Sequence, residues 1–125
     1  MRDAKRRAWW YVGGWLVVQL TATSLPGRAL PGNLGHPVDY VGHFGMYTVL
    51  GLLVARAAVL SGFASSRALV LWTVLVAVAA LDEFHQLVIP DRSASIADWL
   101  CDSAGAGAGI WTWFVASRRW TRWLR

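Results

Sequence analysis

The chain predicts an all-α fold, a polytopic membrane bundle of four transmembrane helices making one domain over residues 1–125. Three observations lead there. Apolar residues make up 56% of the sequence and charged residues only 15%, well below the roughly 25% charged content of globular proteins. The apolar residues fall into four runs of membrane length, separated by Pro/Gly-rich or polar stretches. The basic residues concentrate in two terminal clusters, "RDAKRR" and "SRRWTRWLR", that bracket the apolar runs. A formal charge of +5 therefore points to the lipid bilayer as partner and not to nucleic acid, because the positive groups form no stripe along a folded face.

The first run covers residues 8–25. Its basic start also suits a signal peptide, but the apolar part is longer than a usual signal core and carries Trp9, Trp10, Trp15, Gly13 and Gly14, so we expect it to be retained as a crossing. The loop "LPGRALPGNLGHP" ends it, since its prolines and glycines cannot continue a helix. Residues 38–60 form the second run, closed by "SGFASSR". The third, 68–89, stops before Pro90, and the fourth, 96–115, enters the basic tail. Each run of about 18–23 residues spans about 27–35 Å as helix, enough for a bilayer core. Cys101 is the single cysteine, which excludes an intrachain disulfide and reads as a small buried apolar side chain.

Orientation follows from the cations. Arg2, Lys5, Arg6 and Arg7 precede the first helix, Arg67 lies in the second loop, and Arg118, Arg119, Arg122 and Arg125 follow the fourth. Only Arg28 and Arg92 fall in the other two loops. The positive-inside rule then predicts a multi-pass protein of the cell membrane with both termini cytoplasmic, and with Trp9, Trp10, Trp120 and Trp123 at the inner interface. Arg56, in the inner third of the second helix, can snorkel to that interface.

This topology gathers the acids on the outer side. At about 1.5 Å per residue, Asp82 lies roughly 10 Å below the outer end of the third helix and Asp102 about as deep along the fourth. At about 100° per residue, Asp39, His43 and Tyr47 share a narrow face of the second helix. Asp82, Glu83 and Gln86 share an arc on the third, while His85 falls on the far side of Asp82. On the fourth, Asp98, Asp102, Gly105 and Gly109 form one stripe, where missing side chains invite close helix approach at Gly105 more than at Ala106. A carboxylate at bilayer depth costs on the order of 2.5–3.5 kcal/mol on insertion scales, so these acids should face inward.

The pair of segments "DYVGHFGMY" and "DEFHQLVIPDRSASIADWLCDSAG" resembles the VanZ-like family of small membrane proteins, named after a protein associated with resistance to the glycopeptide teicoplanin. The family's aspartate-to-histidine element matches Asp39 and His43. Its Asp-Glu-x-x-Gln element matches Asp82, Glu83 and Gln86, its following Pro and Arg match Pro90 and Arg92, and its next aspartate matches Asp98. Gly105 stands at the small residue that follows. The resemblance implies the four-helix architecture and covers nearly the whole chain. Two positions depart from the pattern: Tyr40 replaces a frequent lysine, removing a cation, and Asp102 replaces a frequent asparagine, adding an anion. His85 is outside the shared pattern.

The resulting candidate ligand-binding set is Asp39, His43, Asp82, Glu83, Gln86, Arg92 and Asp98, with Asp82, Glu83 and His43 the candidates for chemistry. Three uses are open to it. Hard oxygens and an imidazole suit a divalent metal, although no signature such as H-E-x-x-H is present. Arg92 can close over the carboxylates of a hydrogen-bonded polar core. Alternatively, carboxylates in a dry cleft can serve as acid and base. Ser93 and Ser95 read as helix caps and not as nucleophiles, because no histidine is paired with them by spacing. No cofactor-binding loop is present, and we expect no cofactor.

The resemblance implies a role in how the cell surface meets glycopeptide antibiotics, with a lipid-linked cell-wall intermediate or the drug itself at the outward site. The alternative is a membrane-embedded hydrolase or transferase acting on a lipid-linked headgroup. The predicted orientation has a direct test. Cysteine probes at Asn33 and Ser93 should react with an impermeant label added outside, and a probe at Ser65 should not. Labelling at Ser65 alone would reverse the orientation.

Overall fold

A computed structural model describes residues 2–27 and 35–123, with side chains over 2–27 and 38–117. The helices are α1 (Arg2–Thr23), α2 (Gly35–Leu60), α3 (Ala68–Gln86) and α4 (Ile96–Trp123), with a 3₁₀ turn, Ser65–Arg67, leading into α3. No strand occurs among the described residues, in keeping with the expected all-α class. The loop containing Arg28 and Asn33, and the side chains of Arg118, Arg119, Trp120, Arg122, Trp123 and Arg125, lie outside what is described.

Several boundaries differ from expectation: α1 covers Arg2–Thr23 and not 8–25, and α2 begins at Gly35 and not at 38. The third helix ends at Gln86 and not at residue 89, and residues 87–91 turn through short backbone bonds, Leu87 N–H to Phe84 O, Val88 to His85 O and Ile89 to Gln86 O. Pro90 forces that early exit, because it disfavours helical geometry in the residue before it. The fourth helix instead runs on through the basic tail to Trp123, where arginine and tryptophan offer no breaker.

Two of the four helical segments, Val38–Leu60 and Ser65–Gln86, are long and apolar enough to cross a membrane. α1 and α4 do not meet that measure. Arg2, Asp3, Lys5, Arg6 and Arg7 weight the start of α1, and Asp98, Asp102 and the terminal arginines weight α4. The distribution of side chains is nonetheless that of helices with apolar residues on every side. The interior is filled mainly by small residues, among them Ala55, Ala57, Ala58, Ala79 and Ala106, while Trp10, Val41, Leu69, Leu81, Phe84 and Trp111 point outward.

α2 and α4 form the closest pair, with α1 packed on α2 and α3 on α4. Glycines make that proximity possible. A Cβ on Gly105 would run into the Phe44 carbonyl, one on Gly109 into the Thr48 carbonyl, and one on Gly51 into the Ala106 carbonyl. The expected stripe on α4 is therefore in backbone contact, as small-xxx-small packing requires. Ala106, expected to be the looser neighbour, is fully buried because Gly51 receives it. The exposed residue in this segment is Ala104.

Tryptophan indoles tie the helices together. Trp9 donates to Ser61 Oγ (2.9 Å), Trp15 to Met46 O (3.0 Å), Trp72 to Ser103 O (2.8 Å) and Trp99 to Val76 O (3.1 Å). Each bond joins two helices, or a helix to the loop next to its neighbour, and satisfies a donor that apolar surroundings would leave unpaired. Gly107 contributes by leaving room for the Trp72 indole. The Arg56 guanidinium lies 5.9 Å from the Tyr11 ring centre, a cation–π distance.

At one end of the bundle, the α3–α4 turn locks onto the exit of α1. Asp91 adopts a positive φ of 59°, a left-handed conformation that aspartate tolerates better than most residues. Gly27 donates its N–H to Pro90 O (3.1 Å), and a side chain there would collide with the Asp91 carbonyl. Arg92 donates through Nη2 to Ala22 O (3.1 Å) and through Nε to Leu25 O (3.2 Å). These are carbonyls at the end of α1, which lack intrahelical partners and attract a cation.

Two stability predictions follow. Gly105→Leu should cut the folded yield in detergent several-fold, because overpacking against backbone cannot be relieved by rotating a side chain, whereas Ala104→Leu should leave it unchanged; equal yields would deny the close contact. Arg92→Gln should lower stability by about 1.5–3 kcal/mol, the usual worth of hydrogen bonds to a charged group. Thermal unfolding of the purified variant measures that loss, and an unchanged midpoint would mean the turn is held by Gly27 alone.

Candidate functional site

The site is built where α4 begins. Ser95 is its cap: Ser95 Oγ accepts the Asp98 N–H (3.3 Å), and Ser95 O accepts the Trp99 N–H (3.1 Å). In a capping box, the acid three residues on would return a bond to the N–H of the cap residue. Here Glu83 supplies that bond from α3, its Oε2 accepting the Ser95 N–H at 2.7 Å. Glu83 is buried, and its other oxygen accepts from Gln86 Nε2 at 3.3 Å. Because Glu83 holds the cap, the Asp98 carboxylate is left over, and its Oδ1 is buried without a partner.

One turn further along α4, Asp102 is 0% exposed. Its Oδ1 lies 3.0 Å from His43 Nδ1 on α2, while its Oδ2 has no partner. Glycine contact places these two together, since His43 precedes Phe44 and Asp102 sits a turn before Gly105. His43, Glu83 and Asp102 each present one potential ligand atom, and the three atoms lie within 4.8 Å of one another.

Asp82 belongs to a different wall. Its Oδ1 accepts from Thr23 Oγ1 of α1 at 2.8 Å, and its Oδ2 is buried without a partner. Next to it, His85 Nε2 and Ser24 Oγ are 2.9 Å apart. A cavity of about 190 Å³ runs between this wall and the His43–Asp102 pair, lined also by Gln19, Tyr47, Asp39 and Arg92. Tyr47 and Gln19 are almost fully buried, with the Tyr47 hydroxyl against the Gln19 amide. Buried polar atoms are normally paired, and at this cavity Asp82 Oδ2 and Asp102 Oδ2 have no hydrogen-bond partner.

Against the sequence expectations, the structure brings His43 and Glu83 together, supports Glu83 with Gln86, and puts Asp98 beside them. It separates Asp82 from Glu83: adjacent in sequence, they serve α1 and α4 respectively. His85 lies away from Glu83, as its angle implied. Asp39 is exposed at the cavity wall, and Tyr47 lies two turns inward on the same face. Arg92 does not close over the carboxylates as a polar core would require; it lines the cavity with its guanidinium turned to the carbonyls of α1. The expected candidate set omitted Asp102, which proves to be the centre of the cluster, and Gln19, whose polarity within the apolar run of α1 was the signal available for it.

The cluster is short of positive charge. Two carboxylates about 5 Å apart repel by about 3 kcal/mol at an effective dielectric constant near 20. His43 can supply at most one compensating charge, and Arg92 is engaged elsewhere. The arrangement suits holding a cation, accepting hydrogen bonds from a hydroxyl- or ammonium-bearing group, or transferring a proton between imidazole and carboxylate.

Comparison with known proteins adds one positive result. A family model described as VanZ/LLP1 matches residues 6–117. No curated protein and no solved structure matches the chain. Helices of membrane-crossing length at α2 and α3 agree with a membrane protein. The match extends from the first turns of α1 to the later turns of α4 and takes in every residue of the cavity, and the chain belongs to the VanZ/LLP1 family.

Proposed function

We propose that this protein is a multi-pass cell-membrane protein whose polar cavity, opening toward the outer leaflet, receives the headgroup of a lipid-linked cell-envelope intermediate. Through that contact it would alter how the surface meets teicoplanin-type glycopeptides. Four crossings with both termini in the cytoplasm put the cavity at the level of such a headgroup, as the basic asymmetry implies. The observation that carries the reading is the pair of unpartnered buried carboxylate oxygens, Asp82 Oδ2 and Asp102 Oδ2, on one cavity. Acceptors dominate it, so it favours a ligand rich in hydroxyl, amide or ammonium donors. Arg92 remains the cation at its wall and can meet a phosphate through its unused N–H groups.

The alternative, a hydrolase or transferase acting on the same headgroup, is favoured by one feature: the His43–Asp102 pair at 3.0 Å orients an imidazole as acid–base catalysis needs. Turnover of a lipid-linked headgroup by purified protein would distinguish it from a binding role.

A charge-based site and a structural polar core predict opposite results for isosteric changes. Glu83→Gln and Asp82→Asn keep shape and most hydrogen-bonding capacity. In a glycopeptide-susceptible host protected by the wild type, each should return susceptibility to that of the empty host, with the unfolding midpoint of Asp82→Asn unchanged and that of Glu83→Gln lowered only by the weaker bond to Ser95 N–H. Full protection by both variants, and by Asp39→Asn, would leave only a structural core. Adjacent carboxylates at membrane depth carry a desolvation cost that amides would avoid.

A further inference from the structure

We infer that His43, Glu83 and Asp102 form a binding site for one divalent first-row cation, with zinc and manganese the best-suited ions. The inference does not depend on what the neighbouring cavity receives. Three different helices, α2, α3 and α4, each direct one donor to the same point, and the donor atoms lie within 4.8 Å of one another. His43 Nδ1 and Asp102 Oδ1, at 3.0 Å, are already spaced as neighbouring ligands around an ion with bonds of about 2.0–2.2 Å. Completing the set requires the donors to draw closer than 4.8 Å, with Glu83 swinging about its bonds to Ser95 N–H and Gln86 Nε2.

A second observation is independent of that convergence. Asp102 is 0% exposed, and its Oδ2 has no hydrogen-bond partner. An uncompensated buried carboxylate oxygen is costly, and a cation held bidentately by Asp102 Oδ1 and Oδ2 removes that cost. Charge also balances: two carboxylates and a neutral imidazole match one divalent ion. The surroundings resemble those of metal sites in which outer groups fix the ligands. Gln86 Nε2 holds one Glu83 oxygen and the Ser95 N–H holds the other. His43 and Asp102 also line the cavity shared with Tyr47, which leaves space for water or a ligand oxygen to complete the coordination. One nitrogen with two carboxylates suits zinc or manganese; calcium wants six to eight oxygens, more than this set provides.

The test uses the full chain purified in detergent, stripped with EDTA, incubated with zinc chloride or manganese chloride and desalted. Mass spectrometry of the metal should find close to one equivalent per chain, and His43→Ala and Asp102→Asn should each weaken binding by at least about tenfold. His85→Ala should bind as the wild type does, which separates the site from adventitious histidine binding. Loss at His85 instead of His43, or no retained metal in the wild type, overturns the assignment. If either ligand variant fails to fold, cobalt loading of the wild type decides: visible ligand-field bands of a nitrogen/oxygen-coordinated ion support the site, and their absence overturns it. Calcium competing on equal terms with zinc would overturn the role of His43.

Discussion

Close backbone contact between α2 and α4 is the constraint on which the rest of the molecule depends. Gly105 and Gly109 admit the carbonyls of Phe44 and Thr48, and Gly51 admits that of Ala106, so the two helices mesh from both sides. The distance and rotation fixed by this contact bring His43 and Asp102 to hydrogen-bonding separation one turn away. The same proximity explains the composition of the interior. Where backbones nearly touch, alanine fills what space remains and the large apolar residues are displaced outward, which a membrane solvent permits because lipid is as apolar as leucine.

A second level of organisation lies at the helix ends. The cap of α4 is completed by Glu83 of α3, and the last carbonyls of α1 are completed by Arg92 from the α3–α4 turn. These two helix ends are thus met by charged residues from elsewhere in the chain. Both charged residues are consumed in part by structure, and the acids they leave behind give the cavity its character. Asp98 is relieved of its capping duty by Glu83, and the carboxylates lose a counter-charge because Arg92 faces α1. What would be a neutral polar core becomes an electron-rich pocket with oxygens that have no partner.

Much of this was legible in the sequence. Run length and breakers located the four helices, although α1 starts six residues earlier than expected; Pro90 and the persistence of helix formers after residue 115 account for the misplaced ends of α3 and α4. Angular position identified the α4 stripe and separated His85 from Glu83. Serine before an apolar run announced the cap at Ser95. The motif residues around Asp82 and Asp98 pointed to the family whose model matches residues 6–117.

Partner choice was not legible. Helical periodicity fixes the direction of a side chain relative to its own axis, but not how that axis is turned against its neighbours. Asp82 and Glu83 therefore look alike along the chain, yet a shared arc of about 100° is wide enough to straddle two helix interfaces. Arg92 faced the same ambiguity: near the acids in sequence, it is captured by carbonyls of α1 some 70 residues earlier. Asp102 became central only because glycines on α4 and α2 rotate its face onto His43. The sequence by itself determined which segments are helical and which carry charge into an apolar setting, because both follow from local periodicity and residue chemistry. The tertiary structure alone decided which charges meet, because that depends on helix rotations set by contacts between glycines and backbone far apart along the chain.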